Sequence, residues 1–400
     1  KYTVTYNALG GTCEIGVLND VEYGSDIDVT TIKASKPNYV FKGWNTDQKA
    51  TTPLTSLKMG TSDIVLYAIY VDAVAQISSE YYETLQSAID AAGKSSTAIT
   101  ITMLKSVTTT GATGNVAEGQ NIKLDLNGMT IQSSDTTTIL NNGTIEITGE
   151  GSVIGLNGDA IYNYAEGTVN VTNGTINATG RAVYNAGGII NISGGKLVST
   201  GSNTIVNGAN LTGTVTISGG TIDNTATDNE ARPCLINYKG NVVIKGNANI
   251  NSMYARTVLQ YTGDGTIDIQ GGTITNSSTT QNASCYAVGA ESGTVKIRGG
   301  TISSKVANAV KLTGGTINIS GGTISTSNGT AISCNSSSDK LNISGGTITT
   351  TSGAGISMEY GALTLTGGTV KGSSYGIWTS NVNKPTVTIG ENDGQVSVTT

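Results

Sequence analysis

The chain reads as an all-β protein, chiefly a parallel β-helix of about twelve coils behind a helical cap, and three observations lead there. A motif of the form Gly-Thr-Val-x-Val/Ile-x-Gly-Gly-Thr-Ile recurs along most of the chain, apolar residues alternate within it, and the composition lacks what a wide globular core needs. The motif is legible at Gly167–Ile176 and again at Gly315–Ile324. Its short leading strand begins near residues 123, 144, 168, 189, 214, 241, 266, 294, 316, 340, 362 and 386, a period of 21 to 28 residues. Such a period marks a solenoid, whose repeating unit cannot bury its apolar face alone.

Each unit holds three short strands. The first alternates strictly, as in Ile190-Asn191-Ile192, which buries one face and wets the other. A glycine pair or Asn-Gly turns the chain into a second strand such as Thr301-Ile302, and a polar stretch leads to a third apolar patch such as Ala182-Val183-Tyr184-Asn185. Leucine-rich repeats of similar length need regularly spaced Leu and a helical segment, whereas Thr, Ile, Val, Asn and Gly dominate here. Aligning the third strands sets Asn141, Asn163, Asn185, Asn207, Asn237 and Gln260 in one column, an amide ladder that gives way at Gly289.

Composition excludes several functions. With 54 Gly and one Phe among 400 residues, a narrow Val/Ile core is expected. Only 12% of residues are charged and the net charge is −6, so no basic surface for nucleic acid is expected. There is no His, which removes the commonest general base and metal ligand; no metal or other cofactor is expected. Cys13, Cys234, Cys285 and Cys334 fall in separate segments or non-adjacent coils, beyond disulfide reach, and are expected as free thiols. No apolar run is long enough to span a membrane, and Lys1 stands in a mid-strand pattern. The expectation is a processed piece with further domains in the same chain, because the last strands, Thr386–Ile389 and Gln395–Val398, carry no cap.

Residues 1–72 lack the solenoid motif. They carry Tyr2-Thr3-Val4-Thr5-Tyr6-Asn7, then Phe41-Lys42-Gly43-Trp44-Asn45-Thr46-Asp47, and a closing Leu66-Tyr67-Ala68-Ile69-Tyr70. This segment resembles the Listeria/Bacteroides (internalin B-type) repeat, with one departure at Asn38, where the family usually has Gly. The resemblance implies a small β-grasp-like module of bacterial surface proteins, a stalk or attachment unit without catalytic residues. Within it, Phe41 and Trp44 are expected in the core of a small sheet.

Residues 73–120 are expected to be a linker and the cap. Leu85, Ala88, Ile89 and Ala92 recur at the spacing of one helix face, and a helix before the strand Ile99–Leu104 suits the covering of an open solenoid end. With Leu124-Asp125-Leu126-Asn127-Gly128, this entry to residues 121–400 looks like that of the pectate-lyase-like right-handed β-helices of bacterial surface proteins. That family includes polysaccharide lyases and glycoside hydrolases, which implies that any catalytic groups would lie on the outward column of the first strand.

Two constellations stand out. Asp125 and Glu146 fall on consecutive coils, where they could form the carboxylate pair of a retaining glycosidase; alternatively, Asp125 bonds the Asn127-Gly128 turn. Lys245, Asp268, Gln270, Lys296 and Arg298 cluster on three consecutive coils and could neutralise a uronate and abstract its proton. Cross-strand charge pairing accounts for the same residues. For sugar binding, Tyr238 and Tyr261 occupy equivalent places on neighbouring coils, Tyr164 lies a few coils away, and Tyr375 is near Trp378. The outward columns mix Asn, Asp, Lys and Thr, which speaks against an ice-binding Thr array. Together with what the resemblance of residues 1–72 implies, the residues favour an extracellular, cell-surface spacer or adhesin that binds glycans or host-surface components without catalysis; a carbohydrate-active enzyme is the alternative.

Overall fold

The computed structural model describes residues 1–208, 211–227, 232–280, 284–390 and 396–400. The longest coils of the repeat carry extra residues near 225–233 and 276–284, expected from the sequence to bulge between the second and third strands; these lie partly outside the described residues, as does Gln395 at the head of the last strand. Contacts divide the chain into Lys1–Ala92 with Thr100–Ser106, and Gly93–Ile99 with Val107–Thr400. The first unit groups residues 73–92 with the N-terminal sheet.

In the N-terminal unit a four-stranded mixed sheet runs in the order Val17–Val21, Tyr2–Asn7, Ile64–Asp72, Tyr39–Asn45. Its central pair, Tyr2–Asn7 and Ile64–Asp72, is parallel and its outer pairs are antiparallel. Alternation in Tyr2–Asn7 turns Val4 and Tyr6 inward, where they meet Trp44, Leu66 and Ala68. Trp44 is fully buried and gives its indole N–H to the Ile32 carbonyl at 2.8 Å, so the polar atom of the largest core side chain is satisfied. Tyr6 and Phe41 pack edge-on to it with ring centres 5.0 and 5.3 Å away. Residues 1–72 contain no helix; Ile27, Val29 and Met59 from the connecting segments cover the sheet instead. The helix predicted from the apolar spacing runs Leu85–Ala92, and it packs on the hairpin Ala75–Ile77/Glu80–Tyr82. Thr84 caps it, its hydroxyl accepting from the Ser87 N–H at 3.0 Å.

The second unit is a parallel β-solenoid. Most coils contribute one short strand to each of three parallel faces, for example Thr168–Val171, Thr175–Ala178 and Val183–Asn185, which pair with Ile189–Ile192, Lys196–Ser199 and Ile205–Asn207 of the next coil, while Lys340–Thr350 and Ala362–Lys371 each run through the first two faces as one strand. The third sheet has twelve strands among the described residues, from Gly114–Val116 to Tyr375–Thr379. In the first strands the even alternation sends Ile145, Ile147, Val169, Val171 and Ile190 into a dry interior, each at 0% exposure. Glycine pairs make the corner between the first two strands. Gly322, for example, has φ 85°, and a Cβ there would lie 2.9 Å from the backbone of Gly299 one coil earlier, so a side chain is excluded twice over.

The corner after the third strand is built by the amide ladder. Nδ2 donates along it from Asn141 to Asn163 (2.7 Å), to Asn185 (2.9 Å), to Asn207 (2.8 Å), to Asn237 (2.7 Å), and from Asn237 to Gln260 Oε1 (2.6 Å). Each asparagine also donates to the carbonyl of the glycine that opens the next first strand, as Asn185 does to Gly188 at 2.8 Å and Asn237 to Gly240 at 2.8 Å. A Cβ on Gly213 would lie 2.4 Å from Asn207 Oδ1, which explains why the repeating motif begins with Gly. Register corrects two details of the sequence alignment. Gln260 is followed by Ala290, with Gly289 instead beside Leu259, so the ladder ends against Ala290. The first strand of the first full coil starts at Asn121, opposite Thr144, rather than at residue 123.

Candidate functional site

The outward face of the third sheet gathers more aromatic surface than the other outward faces. In successive coils Tyr162, Tyr184, Val206, Ile236 and Leu259 occupy one column, in register residue for residue. They point away from the solenoid interior yet are largely shielded: Val206 is 4%, Ile236 6% and Leu259 0% exposed, within one cluster with Tyr184 and Tyr286. At ~4.8 Å per coil the column runs roughly 20 Å. One position beyond the ladder, Tyr164, Tyr238 and Tyr261 form the rim of the same face and are partly to substantially exposed.

These rings contact one another across coils. Tyr162 lies 4.6 Å from Tyr164 and 4.9 Å from Tyr184, and Tyr238 meets Tyr261 edge-on at 5.4 Å with planes 84° apart. A perpendicular pair offers one ring face as a floor and the other as a wall. Burial first, and the neighbouring Tyr261 second, push the Tyr238 phenol above its ordinary value; burial and then Tyr184 do the same to Tyr162. Both hydroxyls therefore remain neutral hydrogen-bond donors.

Ion pairs flank the aromatic column. Arg181 makes a two-pronged pair with Asp159, with contacts of 2.7 and 2.9 Å, and its guanidinium sits 4.1 Å from the Tyr184 ring centre. In later coils Arg256 reaches Glu291 at 3.3 Å and lies 5.7 Å from the Tyr286 ring centre, with the Lys311 ammonium 5.9 Å from the same ring. Burial, followed by the charge of Arg256, pulls Lys311 below its usual value. The cation–carboxylate pairs lie beside the buried Tyr184 and Tyr286 rings and present donors and acceptors together, the chemistry that vicinal hydroxyls match.

Of the residues predicted from the sequence, Tyr164, Tyr238 and Tyr261 do share this face, Tyr238 and Tyr261 in contact. Tyr162, Tyr184, Tyr286 and the Asp159–Arg181 and Arg256–Glu291 pairs were missed. Their signal was present: Tyr162 and Tyr184 stand immediately before ladder asparagines, so the ladder register fixes which way they point.

The first face holds the two constellations considered for catalysis. Asp268 and Lys296 are register neighbours, and Lys245, Gln270 and Arg298 follow one another just beyond the first strands of three consecutive coils. Both carboxylate oxygens of Asp268 are occupied, Oδ1 by Arg298 Nε at 2.9 Å and Oδ2 by Gln270 Nε2 at 2.9 Å. This is cross-strand charge pairing on an outward sheet face. The Asp125–Glu146 pair is not formed: register sets Lys123 opposite Glu146, with an ion pair at 3.2 Å, and puts Asp125 opposite Thr148. Asp125 accepts from the Asn127 N–H at 3.0 Å, holding the turn in which Asn127 takes φ 47°.

Among the described residues no group of three Cys, Asp or Glu stands close enough to hold a metal ion, and no helix is long and apolar enough to cross a membrane. Residues 2–69 match the family model of the Listeria-Bacteroides repeat domain. That repeat is typical of bacterial surface or secreted proteins. No curated protein and no solved structure matches the chain.

Proposed function

We propose that the protein is a non-catalytic part of a bacterial cell surface, a rigid extracellular spacer or adhesin whose third solenoid face binds glycan chains. The observation that carries this reading is the set of partly to substantially exposed rings of Tyr164, Tyr238 and Tyr261 along the third face, with Tyr238 and Tyr261 edge-on to each other, backed by the buried column from Tyr184 to Leu259 and flanked by internally neutralised ion pairs. Apolar sugar faces pack on such rings at small entropic cost, while the paired charges hydrogen-bond hydroxyls without demanding a charged ligand. The match of residues 2–69 to a repeat of surface proteins supports the location.

Glycan-array binding tests this reading. Modest binding of neutral oligosaccharides is expected, and Tyr238→Ala combined with Tyr261→Ala should weaken it roughly tenfold or more, as loss of a central aromatic anchor does, while far-UV circular dichroism stays unchanged. The enzyme reading makes the opposite demand: a polysaccharide panel incubated with the protein would release unsaturated or reducing sugars, and Asp268→Asn or Lys296→Ala would abolish that release. Arg298 and Gln270 each hold one oxygen of Asp268, the charge pairing expected of an outward sheet face, which speaks for a structural role.

A further inference from the structure

The N-terminal unit holds a recessed surface of its own. A cleft of ≈ 640 Å³ opens between Ala34–Ser35, the edge strand Tyr39–Asn45 and the Ser79–Tyr81 turn of the hairpin. That volume lies within the range of sites for small ligands. The walls carry Lys33, Lys36 and Lys42 against one acid, Glu80, a net +2 in a chain whose net charge is −6.

Two of the three cations have no carboxylate partner among the described residues. Lys33 donates to the Thr30 carbonyl at 2.6 Å. The Lys36 ammonium is held over Tyr39 and Tyr70, 4.5 and 5.5 Å from their ring centres, and reaches the Leu9 carbonyl at 3.4 Å. Those contacts fix its position and leave its charge uncompensated. Lys42 pairs with Glu83 and is thereby offset. Between the cations, Tyr39, Phe41 and Tyr81 supply half-buried ring surface.

The geometry points to an anionic glycan as the occupant, a carboxylated or sulfated sugar chain whose acidic group meets Lys33 and Lys36 while a ring face lies on Tyr81. A sequence this poor in charge gains little by leaving two lysines uncompensated in one aromatic cleft, one of them positioned by two rings; an acidic sugar satisfies both features. Lysine presents a point charge rather than a planar fork, so the site accepts either acid type.

Binding of the full chain to dextran sulfate, polygalacturonate, neutral dextran and inorganic polyphosphate tests this assignment. Dextran sulfate, polygalacturonate or both should bind, which separates the two sources of charge, and neutral dextran should not compete. Lys33→Gln with Lys36→Gln should weaken that binding roughly three- to tenfold, the scale of two exposed charge pairs, and raising salt to ~0.15 M should narrow the gap. Lys33→Gln alone serves should the Lys36 change disturb its ring contacts. Tyr81→Ala should weaken the glycans but leave polyphosphate binding unchanged. Any of three results overturns the assignment: no polyanion binds, the lysine variants bind as the wild type does, or polyphosphate binds as tightly as the glycans with the same dependence on Tyr81. Loss of the acidic glycans in the Tyr238→Ala/Tyr261→Ala protein would move the site to the solenoid and overturn it as well.

Discussion

Replacing Asn207 by alanine tests whether the buried amide ladder holds adjacent coils together. Asn207 is fully buried, receives a hydrogen bond from Asn185 Nδ2 at 2.8 Å and gives one to Asn237 Oδ1 at 2.7 Å. Truncation leaves one Asn185 N–H and the Asn237 Oδ1 without partners in a dry interior. The Gly213 carbonyl, which also loses Asn207, keeps the Asn241 N–H at 2.9 Å. Two orphaned buried groups at about 1–3 kcal/mol each give about 2–6 kcal/mol of destabilisation. The control is Asn191→Ala, which removes a bond of similar length to Asn170 (2.9 Å) on the outward first face, where water replaces it; it should stay within about 0.5 kcal/mol. Urea unfolding gives the global cost, and hydrogen exchange at Ile205–Asn207 and Leu235–Asn237 shows whether the two coils open locally, since solenoids need not unfold in one step. Equal, small effects of Asn207→Ala and Asn191→Ala would refute the ladder as a source of cohesion.

Acid should loosen the N-terminal unit through Asp28, whose carboxyl is held down to about 2 by hydrogen bonds from Thr31 and Thr30. The folded value lies below the unfolded one, so the stabilisation is full above ~pH 4 and disappears as pH falls through ~2. Asp28→Asn should flatten that acid limb in near-ultraviolet circular dichroism, and an unchanged limb would assign it elsewhere. All four cysteines are free, three of them buried and Cys13 half-buried. Alkylation without reductant should therefore label Cys13 first in the native protein and all four sites in denaturant; reductant-dependent sites would contradict this.

Much of the fold was legible because the repeat is written in positions that physics restricts: glycine where a Cβ would strike the ladder, asparagine where an amide bonds the next coil, and Val or Ile at alternate inward sites. The alignment failed where that restriction lapses. Lys123 and Asp125 are both outward positions of one five-residue strand, and a slip of two residues leaves the inside–outside pattern intact, so the sequence could not choose between them. Tyr286–Ala290 is buried at every position, and without alternation the column slipped by one, from Ala290 to Gly289. The third face was only partly foreseen for the same reason: Val206, Ile236 and Leu259 point outward but are as apolar as their inward neighbours. A continuous apolar run does not declare which side is out. That Asp268 and Lys296 are register neighbours was legible from the repeat; that Arg298 and Gln270 occupy both oxygens of Asp268 depends on side-chain geometry the repeat does not encode.

The most direct test of the account is a crystal structure of the protein with an oligosaccharide selected on the array. Sugar rings should lie on the outward third face, against Tyr238 and Tyr261 and within hydrogen-bond reach of the flanking ion pairs, with the chain unbroken. Density for a cleaved sugar on the first face beside Asp268 and Lys296, with the third face empty, would contradict the account.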